Sequence, residues 1–376
     1  MPMRYYIIAG EASGDLHGSR LIRAIKHNDP SAHIRAWGGD LMEAEGASIV
    51  KHYRELAFMG FVEVLFNLKT ILRNMKWCKS DLLGFSPDIL ILIDYPGFNL
   101  PIAKFANSRK IKTAYYISPQ VWAWKESRVR IIKKVVDKMM VILPFEKEFY
   151  EKWNYPVEYV GHPLAEIISE HKKKNHGIAL KQKLGISESK KIVAILPGSR
   201  KQEISKKLPV MLKAAGNFPE VEFIVAQAPG IDDAFIREIT NQFSEVKILK
   251  DITYDLLSVA DAAMVTSGTA TLETALFGVP EVVCYLGSPL TYQIAKKLVK
   301  VPYISLVNLI MEKMVVKELI QGEMNPENLC RELRRLLDDS VVEEMKKDFE
   351  ALNTKLLAGG KASENAARII QDMLKG

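Results

Sequence analysis

The chain has 376 residues, 48% hydrophobic, 26% charged and 9% aromatic, with 52 Lys and Arg against 45 Asp and Glu for a net charge of +7. This composition excludes a disordered, collagenous or low-complexity protein, and the lack of an uncharged run of about 18 apolar residues excludes a polytopic membrane protein. Three widely spaced cysteines, Cys78, Cys284 and Cys330, argue against a disulfide framework and a zinc site, no secretory leader is expected, and the basic excess leaves nucleic acid, a membrane surface and an anionic substrate open as partners.

Short apolar runs rich in β-branched residues alternate with longer amphipathic segments. In chain order, Tyr5–Ala9 predicts a strand, Asp15–Lys26 a helix, Ile34–Trp37 and Ile89–Ile93 strands, and Pro101–Ser108 a helix. Thr113–Ile117, Lys138–Val141 and Val157–Val160 follow as strands. Charge density then jumps at Glu170, Lys172, Lys173, Lys174 and His176. The alternation restarts with strands at Ile192–Leu196, Glu222–Ala226, Val246–Leu249, Ala262–Val265 and Glu281–Tyr285. Near-continuous hydrophobic strands separated by crossover helices belong to parallel sheets. Two such series predict an α/β protein with two doubly wound domains, residues 1–166 and 167–360. From Glu327 to Lys375 the pattern is helical, interrupted at Gly359-Gly360, and the last helix, about 361–376, is expected to pack on the first domain.

Ligands of open α/β sheets bind beyond the carboxyl ends of the strands, so the residues just after each strand are the candidates. Gly10-Glu11-Ala12-Ser13-Gly14-Asp15 reads either as a ligand loop at a helix N-terminus or as a turn with Asp15 as N-cap. Asp94 follows Ile-Leu-Ile-Leu-Ile directly, a carboxylate at the sheet edge with apolar walls. Such a setting raises a carboxyl pKa and makes a usable base; the alternative is a turn residue ahead of Pro96. Ser118-Pro119-Gln120-Val121-Trp122-Ala123-Trp124-Lys125 predicts an ordered loop, because tryptophans two apart share no helix face. It is either structural or a wall for a sugar-bearing ligand, with Arg128, Arg130, Lys133 and Lys134 as cations for a phosphate.

In the second half, Gly198-Ser199-Arg200 after a buried strand makes a phosphate contact set, while Lys201, Lys206 and Lys207 read as solvation of the next helix. Ser267, Gly268 and Thr269 open a helix N-terminus suited to a diphosphate. Glu273 shares a helix face with Thr269 and suits the hydroxyls of a ribose; a capping box is the alternative. His162, between Gly161 and Pro163, reads as a structural turn, and no cluster has metal-ligand spacing. Phe58–Phe66 is apolar. The helix after it is expected to line Leu65, Leu68, Ile71, Leu72 and Met75 on one side and Lys69, Arg73, Lys76 and Lys79 as a basic stripe. That is either a membrane-surface element or a solvated crossover helix.

Six stretches, in this order, resemble one family: Gly10–Asp15, Met59–Leu65, Ser118–Trp124, Leu143–Glu146, Leu196–Arg200 and Ser267–Ala270 with Glu273. The chain is similar over nearly its whole length to the lipid-A-disaccharide synthases, inverting transferases of glycosyltransferase family 19. The resemblance implies a GT-B fold, two Rossmann-like domains facing a central cleft. The first domain would serve the acceptor and the membrane, and the second the UDP-sugar. It implies transfer of 2,3-diacylglucosamine from UDP-2,3-diacylglucosamine to the 6-hydroxyl of 2,3-diacylglucosamine 1-phosphate, without cofactor or metal. The partners are those two substrates and an anionic membrane surface, not nucleic acid, at a cytoplasmic site peripheral to the inner membrane; a homodimer stays open. By the same resemblance Asp94 is the general base. Ser199, Arg200, Ser267, Gly268, Thr269, Glu273 and Asn308 bind the donor, and Glu11, Ser13, Asp15 and Gln120 the acceptor. Phe58, Met59, Phe61, Phe66, Lys69, Arg73 and Lys76 touch the membrane. There is one departure: Gly97 stands where many members carry Asp, which leaves Asp94 to act alone. The competing reading is another GT-B enzyme acting on UDP-N-acetylglucosamine, an epimerase or a peptidoglycan-lipid transferase.

Overall fold

The computed structural model describes residues 2–56, 68–173, 176–187, 189–243, 246–288, 292–293 and 301–375. The chain forms two compact units, one made of the residues up to Pro163 together with those from Leu356 onward, the other of Leu164–Lys355. In the first unit the strands are β1 (Arg4–Ala9), β2 (His33–Gly38), β3 (Ser48–His52), β4 (Ile89–Ile93), β5 (Lys112–Tyr116), β6 (Lys138–Val141) and β7 (Glu158–Tyr159). In the second they are β8 (Ile192–Leu196), β9 (Glu222–Gln227), β10 (Lys247–Lys250), β11 (Ala262–Thr266), β12 (Glu281–Tyr285) and β13 (Lys317–Ile320).

Both sheets are parallel. Their orders are β3-β2-β1-β4-β5-β6-β7 and β10-β9-β8-β11-β12-β13. In each, the direction of strand succession reverses once, between β1 and β4 and between β8 and β11. That switch point is where a doubly wound α/β sheet opens a crevice.

Burial on both faces accounts for the strand sequences. Successive side chains alternate across a sheet, so Tyr5, Ile7 and Ala9 share one face with Ile89, Ile91 and Ile93, while Tyr6 and Ile8 share the other with Leu90, Leu92 and Tyr115. The Ala12–Asn28 helix covers the first face through Leu21, Ile22 and Ile25. The Ala362–Lys375 helix joins it, burying Ala362, Ala366, Ala367 and Ile370. Gly359 and Gly360 do more than interrupt the tail. A Cβ on Gly161 would fall 2.5 Å from the Gly360 carbonyl oxygen, so the glycines let two backbones cross.

The structure departs from the sequence reading in several places. The strands β3 and β13 were not anticipated; both are short edge strands carrying Lys and Glu or His, without a continuous apolar run. The helix expected from Pro101 begins at Pro96, which takes the first helical turn, and Pro101 lies inside it. The Ser118–Lys125 segment is not a plain loop: Val121–Trp124 forms a helical turn, followed by a 3-10 turn at Glu126–Arg128.

Candidate functional site

In the first unit the switch point joins the ends of β1 and β4, where Ala9 pairs with Ile93. The next residues, Gly10-Glu11 and Asp94-Tyr95, lie side by side. A Cβ on Gly10 would fall 2.3 Å from the Tyr95 ring, so only glycine allows the two loops to close. Asp94 and Tyr95 both have left-handed backbones, with φ of 42° and 49°. This conformation costs about 1–2 kcal/mol per residue outside glycine, somewhat less for Asp. The surroundings hold it. The Asp94 carbonyl accepts hydrogen bonds from the Tyr115 hydroxyl at 2.5 Å and the Asn99 amide at 2.7 Å, and the Asp94 N–H donates to the Tyr116 carbonyl at 3.3 Å.

With its backbone pinned, Asp94 stands as an exposed residue at the end of the strand. Protein crowds the inner side of its carboxyl, and the resulting loss of solvation pushes its pKa up to about 6, helped by the charge of Glu11 and opposed by the Tyr95 N–H. Such a group is mostly ionised at neutral pH yet more basic than an ordinary aspartate, which suits proton abstraction from a hydroxyl. Of the two residues that set its position, Tyr115 fell inside a predicted strand and Asn99 in the stretch ahead of the predicted helix, and neither carried a signal of that role.

The other first-unit candidates separate. Glu11 is the N-cap residue of the Ala12–Asn28 helix and makes no side-chain cap bond; Ser13 and Gln120 are exposed. Asp15 is corrected on both readings. It is neither the N-cap nor turned toward the loop surface. It is buried, with Oδ1 accepting from the N–H groups of Gly39 (2.8 Å) and Met42 (3.1 Å), and Oδ2 from that of Leu41 (3.1 Å). It caps the Asp40–Ala44 helix, whose own N-cap residue is Gly39.

The two tryptophans after β5 also divide. Trp122 points inward and donates its indole N–H to Glu146 at 3.2 Å. Glu146 further accepts from the N–H groups of Ile142 (3.2 Å) and Leu143 (3.0 Å), tying together the loops after β5 and β6; burial pushes its pKa up to about 7. Trp124 is 48% exposed, with the Lys125 ammonium 4.3 Å and the Arg128 guanidinium 5.5 Å from its ring. The charge of Arg128 reaches the Tyr115 hydroxyl that pins Asp94.

In the second unit the switch point joins β8 and β11, with Leu196 beside Val265. Gly198 has φ of 111°, and a Cβ there would meet Glu203 Oε2 at 2.8 Å. Ser199 and Arg200 are exposed, with Arg200 3.7 Å from Glu203. Across the switch point, Gly268 is the N-cap residue of the Thr269–Phe277 helix at φ 156° and ψ −162°, a region that only glycine occupies readily. No side chain caps this helix, so the capping-box alternative falls. Ser267 is half-buried, and Gly268 and Thr269 are exposed. Glu273 accepts a 2.7 Å bond from the Tyr254 hydroxyl at Oε1, and burial raises its pKa. The sequence reading missed Tyr254.

Asn308 is also corrected. It is fully buried and its amide is wholly engaged: Nδ2 donates to the Val316 carbonyl and to Glu318, each at 2.9 Å, while Oδ1 accepts from the N–H groups of Val315 (2.8 Å) and Val316 (2.9 Å). It holds the Leu306–Met311 helix to β13 and has no capacity left for a ligand.

Of the membrane candidates, Phe58, Met59, Phe61 and Phe66 lie outside the described residues. Lys69, Arg73 and Lys76 are exposed on the Leu68–Phe85 helix, whose buried side is Asn74, Cys78 and Leu82. The expected apolar line therefore divides: Met75 packs against the core and Ile71 is half-buried, while its outer members face solvent. Leu68 and Leu72 stand 48% and 56% exposed among the cations.

Residues 5–371 match the family model described as lipid-A-disaccharide synthetase. The chain is 41% identical to the lipid-A-disaccharide synthase of Geobacter metallireducens, covering 99% of this chain and 97% of that one. It is 36% identical to that of Coxiella burnetii, covering 98% of each. Among solved structures, the UDP-GlcNAc 2-epimerase from Neisseria meningitidis bound to UDP-GlcNAc superposes with a TM-score of 0.67 over 100% of both chains at 14% identity. The glycotransferase of kitacinnamycin does so at 0.65 over 99% of both at 12% identity. Identities this low show a shared fold and nothing finer.

Proposed function

The chain belongs to the lipid-A-disaccharide synthase family, and from that membership we propose how its residues divide the work. The protein is a glycosyltransferase of lipid A biosynthesis. The 2,3-diacylglucosamine of its UDP derivative passes to the 6-hydroxyl of 2,3-diacylglucosamine 1-phosphate, which yields the β-1,6 disaccharide 1-phosphate and UDP.

In this reading the first unit takes the acceptor and the second the donor. Asp94 accepts the proton of the 6-hydroxyl as its oxygen bonds to the anomeric carbon of the donor. The bond from that carbon to the β-phosphate oxygen breaks on the opposite face, so the configuration inverts in one displacement. Negative charge grows on the departing UDP. Arg200 and the uncapped helix N-terminus at Ser267–Thr269 stabilise it. Glu273, oriented by Tyr254, accepts from the ribose hydroxyls with its other oxygen. Trp124 offers an apolar face to the acceptor sugar, and Arg128 a fork for its phosphate. The observation that carries the reading is Asp94: a carboxylate with a raised pKa, on a strained turn pinned by Tyr115 and Asn99, at the switch point of the first sheet.

Both substrates carry acyl chains, so the enzyme must meet a bilayer. Among the described residues no helix is long and apolar enough to cross one. Exposed Leu68 and Leu72 amid Lys69, Arg73 and Lys76 suit the surface of an anionic membrane, on the cytoplasmic face of the inner membrane. The purified protein, given both acylated glucosamines, should make the disaccharide 1-phosphate and one UDP per transfer, read by mass spectrometry. Interconversion of UDP-sugars with no disaccharide would sink the proposal.

A further inference from the structure

The Lys201–Ala215 helix turns Ile204, Lys207, Leu208, Met211 and Leu212 into the second unit. Four of these make an ordinary apolar stripe. Lys207 breaks it, although its neighbour Lys206 is exposed, as the sequence reading expected of both. Lysine is almost never fully buried without a partner. Lys207 is 2% exposed as a residue, its stem packed into the stripe, and among the described residues its ammonium makes no hydrogen bond and no ion pair. Taking a charge out of water is costly unless an opposite charge answers it.

Burial disfavours the charge of that ammonium, Glu203 favours it and Arg200 opposes it, and the neutral thiol of Cys284 lies within their range. Arg200 and Glu203 belong to the turn after β8, and Cys284 pairs with Thr266 across β12 and β11. The ammonium therefore lies at the carboxyl ends of these strands, on the sheet side of the Gly198 loop. A second group there is also unanswered. Thr266 is 4% exposed and its hydroxyl has no hydrogen-bond partner, while its methyl lies 3.4 Å from where a Gly198 Cβ would stand. A lysine enclosed at the residue level and a buried, unpartnered hydroxyl thus lie at the same end of the sheet, by the Gly198 loop.

We propose that Lys207, with Thr266 beside it, donates to the diphosphate of the donor from the sheet side of the Gly198 loop, while Arg200 holds it from the solvent side. The proposal rests on the assignment of the UDP-sugar to the second unit. As the glycosidic bond breaks, charge grows on the β-phosphate, and a desolvated ammonium already in place stabilises that charge more than the ground state.

Lys207→Met tests it, because methionine keeps the unbranched stem, removes only the ammonium end and continues the apolar stripe. UDP binding to the full chain is measured by calorimetry, with uridine as the ligand that lacks phosphate and the thermal midpoint as the folding control. The expected result is at least a tenfold loss of UDP affinity, unchanged uridine affinity, and a midpoint equal to or above that of the unaltered chain. A loss of UDP affinity below threefold overturns the proposal and leaves Lys207 a buried cation without a ligand. Should Lys207→Met fail to fold, a crystal structure of the unaltered chain with UDP decides. An Nζ within about 3.5 Å of a phosphate oxygen supports the proposal, and a longer distance overturns it. An unaltered chain that binds no UDP overturns the donor assignment itself, and Lys207 with it.

Discussion

Replacing Asp94 with asparagine removes a proton acceptor while leaving the turn that carries it. Asparagine adopts the left-handed backbone as readily as aspartate. The bonds from Tyr115 and Asn99 reach the main-chain oxygen of residue 94, so they survive the change. Alanine would instead add about 1–2 kcal/mol of backbone strain and blur the result. General-base catalysis contributes about 10²–10⁴-fold, so kcat should fall by that factor, about 3–5 kcal/mol in the barrier. UDP affinity, which the proposal assigns to the second unit, should stay unchanged. The pH profile supplies the second readout. The base works as the carboxylate, and its pKa lies at about 6, so the rate should rise with pH through about 6 and be lost as pH falls below it. Asp94→Asn should keep only a slow rate without that acid limb. Glu11→Gln removes a charge that raises the Asp94 pKa, so it should move the limb to lower pH. Both are read by steady-state UDP release with the two acylated substrates. An Asp94→Asn enzyme within threefold of the unaltered rate, acid limb intact, would remove Asp94 as the base.

Asp15→Ala should cost about 1.5–3 kcal/mol, because three backbone N–H groups lose a charged acceptor. That is a fall of several degrees in the thermal midpoint; an unchanged midpoint with a raised acceptor KM would restore Asp15 as a substrate contact. Changing Lys69, Arg73 and Lys76 together to Gln should weaken partition onto anionic vesicles by about a hundredfold, at about 1 kcal/mol per cation near the surface. Unchanged partition would leave that helix an ordinary solvated face.

The strands easiest to read were those buried on both faces. Ile89–Ile93 and Ile192–Leu196 have the same bounds in the sequence reading and in the structure, because only an apolar run can lie between two helix layers. The edge strands β3 and β13 were hidden for the opposite reason. One side of an edge strand faces solvent, so Lys51 and His52, or Lys317 and Glu318, replace the continuous run, and four or five residues are too few for alternation to register. The glycine pair at 359–360 was visible, but not its purpose, since its partner Gly161 is nearly 200 residues away in the chain.

Candidate site residues divide by a different rule, which concerns hydrogen-bonding capacity rather than position. Asp15 and Asp94 both follow a buried strand closely, and the chain alone does not separate them. In the fold, Asp15 has its two oxygens occupied by three backbone N–H groups, whereas at residue 94 the bonds from Tyr115 and Asn99 fall on the main chain and the carboxyl meets only the Tyr95 N–H. Asn308 and Lys207 invert each other in the same way. The amide of Asn308 makes four bonds to its own unit, so a polar residue that looked like a ligand is a strut. The ammonium of Lys207 makes none among the described residues, so a residue that looked like solvation is the one proposed to meet the donor. A polar group already satisfied by its own chain gains little by meeting a substrate, and a buried one left unsatisfied gains most. That asymmetry is fixed only once distant backbone segments close around the side chain. For Asp15, Gly39 and Met42 had to arrive; for Asn308, Val315 and Val316.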